Sequence, residues 1–148
     1  MTPTSKSSSK SSSESTTKST STSGSPVIGI GVDAVDVVRF RQTLSRTPSM
    51  RGRIFTDDEL APLAERADPV PSLAARFAAR EAVMKAMGVG LGAFDFHDVW
   101  VASLPTGQPV LQVSGRADAL ARERGIASWH LSLTHTDDMA IAYVVASS

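Results

Sequence analysis

Asp33, Glu81 and Lys85 have the residue types and placement that could handle a cation and an anion together. Glu81 and Lys85 stand four residues apart in Ser72–Gly88, a stretch rich in alanine and free of proline. That spacing puts both on one flank of a helix, in the order that favours an ion pair. It equally allows a second reading, in which Glu81 holds a metal and Lys85 faces an anion. Asp33 follows a short apolar run and is open to two readings as well, a helix cap or a ligand.

The elements that must carry these groups follow from pattern. Ser72 is a candidate N-cap and Gly88 a candidate stop. Leu73, Phe77, Met84 and Met87 repeat at helical spacing, and alanines occupy the opposite side. A helix apolar nearly all round is buried on several sides, so its charges need partners. Val27–Val32 reads as a buried strand. Its Gly29 and Gly31 lack the third glycine of a dinucleotide fingerprint and point to close backbone packing instead. Asp36 caps a helix from Val37 to about Arg46, with Val37, Phe40 and Leu44 inward. Thr56 and Glu59 have capping-box spacing and start a helix to about Arg66. Asp68–Pro71 reads as a stiff turn. Gly88, Gly90 and Gly92 make a loop whose backbone could approach a phosphate or serve as plain connection. His97–Ser103 and Val110–Val113 form a hairpin around Pro105–Gln108. Ser114 caps a helix that ends at Gly125. Trp129–His135 and Met139–Ala146 form a second hairpin, with Trp129, Leu131, Leu133 and His135 on one face. His135 is either a structural histidine or a strand-end residue facing a cleft. The strand connections late in the chain are too short for parallel crossovers. The expected fold is α+β, a mainly antiparallel sheet packed against the long central helix.

Composition narrows the function. The 148 residues suit one modest domain. Residues 1–25, almost all Ser, Thr and Lys, read as a disordered tail, and residues 26–148 as the folded domain. Fifteen basic residues balance fifteen acidic ones, so no global field calls for nucleic acid. There is no cysteine, which excludes disulfides, a thiol nucleophile and a thiolate metal site. A metal would rest on oxygen or histidine, and carboxylates suit magnesium. No apolar run is long enough for a membrane span and no signal-peptide core follows the N-terminus, so a cytoplasmic location is expected. Arg39, Arg41, Arg46, Arg51 and Arg53 form a local basic stretch. It is either a solvated surface or a docking patch for an acidic protein.

Three segments together resemble the holo-acyl-carrier-protein synthase group of 4'-phosphopantetheinyl transferases. They are Gly29-Ile30-Gly31-Val32-Asp33, then Arg76 through Ala86, then Trp129 through His135. Their order and spacing match, as does the Gly107-Gln108-Pro109 turn, and the likeness runs from about Val27 to Ala146. The resemblance implies transfer of 4'-phosphopantetheine from coenzyme A to a serine of apo acyl carrier protein, for fatty acid or polyketide biosynthesis. It implies Mg2+ held by Asp33 and Glu81, with Lys85 neutralising pyrophosphate charge. It places Lys85, Arg80 and His135 toward coenzyme A, the arginines from Arg39 to Arg53 against the carrier, and the chain in a homotrimer. Arg80 stands where the family usually has lysine, and Thr134 where serine is common.

Two other readings use the same residues. A magnesium-dependent phosphohydrolase would attack with water and need no carrier. A non-catalytic domain would pair Glu81 with Lys85 on the helix surface and bind an acidic partner through the arginines.

Overall fold

The computed structural model describes Gly24 and residues 26–148. The expected tail, residues 1–25, lies outside the described residues apart from Gly24. The chain opens with β1 (Val27–Asp36), α1 (Val37–Arg46), α2 (Met50–Ile54) and α3 (Asp57–Leu60). The long helix α4 (Val70–Met87) follows, then β2 (Val99–Ser103) and β3 (Pro109–Val113). The last elements are α5 (Gly115–Glu123), β4 (Ser128–His135) and β5 (Met139–Ser147). The strands form a three-stranded sheet in the order β1-β5-β4 and a separate β2-β3 hairpin, every pair antiparallel. The α+β fold expected from the sequence is the one observed.

α4 lies against the sheet and organises the interior. Thirteen of its eighteen residues are buried, as an all-round apolar helix requires. One side packs with Val99, Leu120 and Val144, the other with Val37, Phe40 and Phe55 under α1 to α3. Gly88 ends the helix in the left-handed conformation, φ 69°, and its N–H returns to the Lys85 and Met84 carbonyls. The start differs from the expected Ser72 cap. The helix begins at Val70, with Pro71 in its first turn, where a missing N–H costs no hydrogen bond. Ser72 is buried inside that turn, and its Oγ accepts from Arg66 at 2.6 Å.

Three further boundaries move. β1 runs to Asp36 rather than Val32, because β5 pairs with it as far as Asp36↔Met139. α3 stops at Leu60, and a 3₁₀ turn through Pro62 replaces the expected continuation to Arg66. Phe96–Asp98 is a 3₁₀ turn, so β2 starts at Val99. The Thr56–Glu59 capping box is present with both reciprocal bonds, and Asp36 caps α1 by accepting from the Arg39 N–H at 2.8 Å.

Among the described residues no helix is long and apolar enough to cross a membrane.

Candidate functional site

β1 and α4 approach each other unusually closely, and two glycines make this possible. A Cβ at Gly29 would run into the Ala86 carbonyl, and one at Gly31 into the Ala82 carbonyl. Alternation then aims Asp33, two residues past Gly31, at the same helix. Asp33 is therefore a mid-strand residue facing α4; the capping role falls to Asp36.

The three candidates Asp33, Glu81 and Lys85 meet here. Lys85 Nζ donates to Asp33 Oδ1 at 3.0 Å and to the Val32 carbonyl at 3.0 Å. The surface pair between Glu81 and Lys85 is not formed among the described residues; Lys85 reaches to β1 instead. The Asp33 side chain is 10% exposed, and its Oδ2 is buried with no hydrogen-bond partner. Burial, and after it the charge of Asp33, push the Glu81 carboxyl above its ordinary range, while Lys85 works in the opposite direction. Two carboxylates facing one ammonium leave a negative surplus in a partly dry pocket. That surplus, together with the unpartnered oxygen, fits a hard divalent cation. No cluster of three metal-ligating side chains exists among the described residues. A cation here would draw its remaining ligands from water or from a substrate.

Beside this triad a cleft of about 860 Å³ opens between α2 and the loop after Gly88, with Glu81 and Phe77 on its wall. Leu91, 75% exposed between Gly90 and Gly92, stands at its edge.

The comparisons with known proteins agree with this arrangement. The family described as the 4'-phosphopantetheinyl transferase superfamily matches residues 29–144. The chain belongs to that superfamily. It is 48% identical over 122 residues to a holo-[acyl-carrier-protein] synthase of Micrococcus luteus, covering 81% of this chain and 91% of that one. It is 50% identical over 123 residues to the corresponding protein of Frankia alni, covering 82% and 98%. Among solved structures, the holo-[acyl-carrier-protein] synthase of Neisseria meningitidis superposes with a TM-score of 0.75 at 33% identity, covering 83% of this chain and all of that one. The Bacillus anthracis synthase in complex with CoA (3',5'-ADP) gives 0.69 at 30% identity, covering 82% and 97%.

Against the roles that the superfamily suggests, the structure places the remaining candidates unevenly. Arg80 is a correction. It is completely buried, not aimed into the cleft, and its guanidinium binds both oxygens of Glu59 at 2.5 and 3.0 Å. Its Nε donates to the Phe96 carbonyl at 2.9 Å. The acid that looked like a capping residue alone is thus also the partner of a buried cation. Glu59 accepts from the Val101 N–H at 3.1 Å besides, and is 2% exposed. His135 is exposed at the end of β4, on the row Val35–Ala140–His135, so β5 separates it from β1 and Asp33.

The five arginines are all exposed but do not share one surface. Arg39 lines a second hollow of about 380 Å³ with Phe40 and Met139, and Arg53 lines the main cleft. Arg41 lies on the opposite flank of α1 from Arg39. It is held by Asp68 through two bonds of 2.9 and 2.7 Å. Sequence reasoning gave no role to Arg76, half-buried on α4 with an unpartnered Nε, or to His97 at the cleft wall.

Proposed function

We propose that this chain moves 4'-phosphopantetheine from coenzyme A to a serine of apo acyl carrier protein and releases adenosine 3',5'-bisphosphate. The observation that carries the reading is the buried, unpartnered Oδ2 of Asp33 beside Glu81, with Lys85 bridging to the same aspartate. Asp33 and Glu81 would hold Mg2+, which when bound screens and polarises the pyrophosphate. Lys85, 55% exposed, turns an ammonium toward that position and stabilises the charge that builds on the leaving phosphate. The carrier serine Oγ attacks the β-phosphorus in line, its proton passes to a nearby carboxylate or to water, and the bond from the β-phosphorus to the α-phosphate oxygen breaks.

His135 serves the coenzyme A side. The stretch from Arg39 to Arg53 receives the acidic carrier, with Arg53 on the cleft side; Arg41 contributes less because Asp68 already occupies it. The working form is a homotrimer with sites at subunit interfaces. The outer face of the sheet supports this, because Ile30, Val32 and Tyr143 are 55%, 49% and 44% exposed on it. A monomer's mass in light scattering at micromolar concentration would count against the trimer. Like the reaction it serves, the protein is cytoplasmic.

The test is intact-mass spectrometry of apo acyl carrier protein incubated with the protein, coenzyme A and Mg2+. One phosphopantetheine is gained, and the gain is lost on chelation. Glu81→Gln cuts the rate on the order of 10²- to 10³-fold, as loss of a preorganised electrostatic group does, and keeps the fold. A variant that transfers at the wild-type rate would refute the role of Glu81. Adenosine bisphosphate released from coenzyme A with the carrier unchanged would replace transfer by hydrolysis.

A further inference from the structure

One side-chain hydrogen bond joins the two walls of the main cleft. His97 Nε2 lies 2.8 Å from the Gly52 carbonyl, and no other hydrogen bond among the described residues links Thr47–Ile54 to the loop from Gly88 to Asp98. A carbonyl only accepts, so Nε2 carries the proton. The Gly52 carbonyl is open to this contact because its intrahelical partner would be the Thr56 N–H, which instead donates to Glu59 in the capping box.

The base of His97 is fixed on both sides. Its own N–H donates to Asp95 Oδ1 at 2.9 Å. The preceding Phe96 carbonyl accepts from Arg80. The following Asp98 accepts from Ser114 through its carbonyl and from the Arg116 and Ala117 N–H groups through Oδ2. The far end is a five-residue helix, held to the core by Ile54 and Phe55 at its C-terminal end. Gly52 stands between Arg51 and Arg53, both exposed, and Arg53 lines the cleft that Glu81 also lines.

We propose that His97 is a positioning residue for the acceptor protein. It straps α2 to the rigid turn at Phe96–Asp98 and so sets the distance between the basic helix and Glu81. A carrier docked on Arg53 then presents its serine at the correct height in the cleft. This rests on the transferase reading above and adds to it a residue that acts on one substrate and not the other.

The experiment is steady-state transfer by wild type, His97→Leu and His97→Gln, varying apo acyl carrier protein and coenzyme A in turn. Leucine keeps bulk against the wall and removes the donor; glutamine restores an N–H donor. For His97→Leu the carrier KM rises about three- to tenfold, the worth of one hydrogen bond, while the coenzyme A KM stays within about twofold. His97→Gln recovers most of the carrier KM. Thermal midpoints are measured alongside; a variant that is merely less stable loses active fraction and kcat without separating the two KM values. In an Arg53→Ala background the His97→Leu effect shrinks, because both act through α2. Unchanged carrier KM in His97→Leu, an equal rise in both KM values, or a glutamine variant no better than leucine would overturn the proposal. Absence of transfer by the wild type would instead sink the functional reading.

Discussion

Gly31→Ala tests how the site is built. The added Cβ would sit far inside the 3.0 Å that real Cβ contacts respect, against the Ala82 carbonyl and the Ala86 N–H. Both are backbone atoms of a buried helix, so no side chain can swing away. β1 must retreat from α4 by on the order of 1 Å, and Asp33, two residues on, moves with it. Overpacking of this kind costs about 1–3 kcal/mol. For a domain of this size that lowers the thermal midpoint by roughly 3–12 °C. The effect on catalysis is larger in proportion, since a misplacement of about 1 Å costs on the order of 100-fold in rate. The assay pairs a thermal melt with initial rates of carrier modification by intact mass. Gly90→Ala is the control: no atom lies within 4 Å of a Cβ there and φ is not positive. A Gly31→Ala protein with the control's midpoint and the control's rate would refute the argument that close approach of β1 to α4 positions Asp33. A protein that melts lower but transfers at full rate would separate packing from positioning and refute the second half alone.

Two further outcomes follow from the charges. Arg80→Met leaves the buried Glu59 without its cation partner and destabilises by about 3–5 kcal/mol in urea unfolding, whereas Glu59→Gln/Arg80→Met recovers most of it because the amide still accepts from Val101. A double variant as unstable as the single one would show the loss to be packing, not charge. The second concerns pH. The folded Glu81 carboxyl binds its proton more tightly than the unfolded one, so the metal-free protein loses stability as pH rises from the ordinary glutamate value of about 4.3 through the raised folded value. Glu81→Gln escapes that loss. In chelator its midpoint exceeds wild type at pH 8, the gap closes below pH ~4 where both side chains are neutral, and Mg2+ at pH 8 raises the wild type more. A gap equal at both pH values would mean that neither burial nor Asp33 raises the Glu81 carboxyl.

Much of the architecture is legible in the chain because it rests on local rules. Alternation fixes the hairpins, Gly88 ends α4, and Asp36 and the Thr56–Glu59 pair start helices where caps are needed. Glycines in β1 read as packing residues, and the distances to α4 agree. Where local spacing left a side chain's partner open or hid it, the deciding contacts lie between residues distant in sequence. Glu81 and Lys85 satisfy the helix-pair rule, yet Lys85 bonds Asp33, 52 residues away, because the glycines bring β1 within reach. Thr56–Glu59 satisfies the capping rule completely, which conceals that Glu59 also neutralises Arg80, 21 residues on. No spacing could show that Arg80 points inward while its neighbour Glu81 points to the cleft. The one available signal was the composition of α4: a helix apolar on all sides must bury some of its charges with partners.

That neighbour relation explains why a costly buried pair occurs in this helix. Successive side chains on a helix diverge by about 100°. Arg80 is locked to Glu59, the Phe96 carbonyl and the Arg76 carbonyl, on the side of α3 and β2. With that direction fixed, α4 cannot rotate about its axis, and Glu81 is committed to the β1 side. Leu73, Val83, Met84 and Met87 already seat the helix in its two clusters, and an apolar residue at position 80 would add packing but no directed bond to α3 or to the Phe96 carbonyl. The guanidinium fork, with its bonds set in one plane, supplies the missing directionality. The glycines in β1 set how near Asp33 comes, and the buried pair sets which way Glu81 faces. Neither group touches substrate, yet the two carboxylates meet only when both conditions hold.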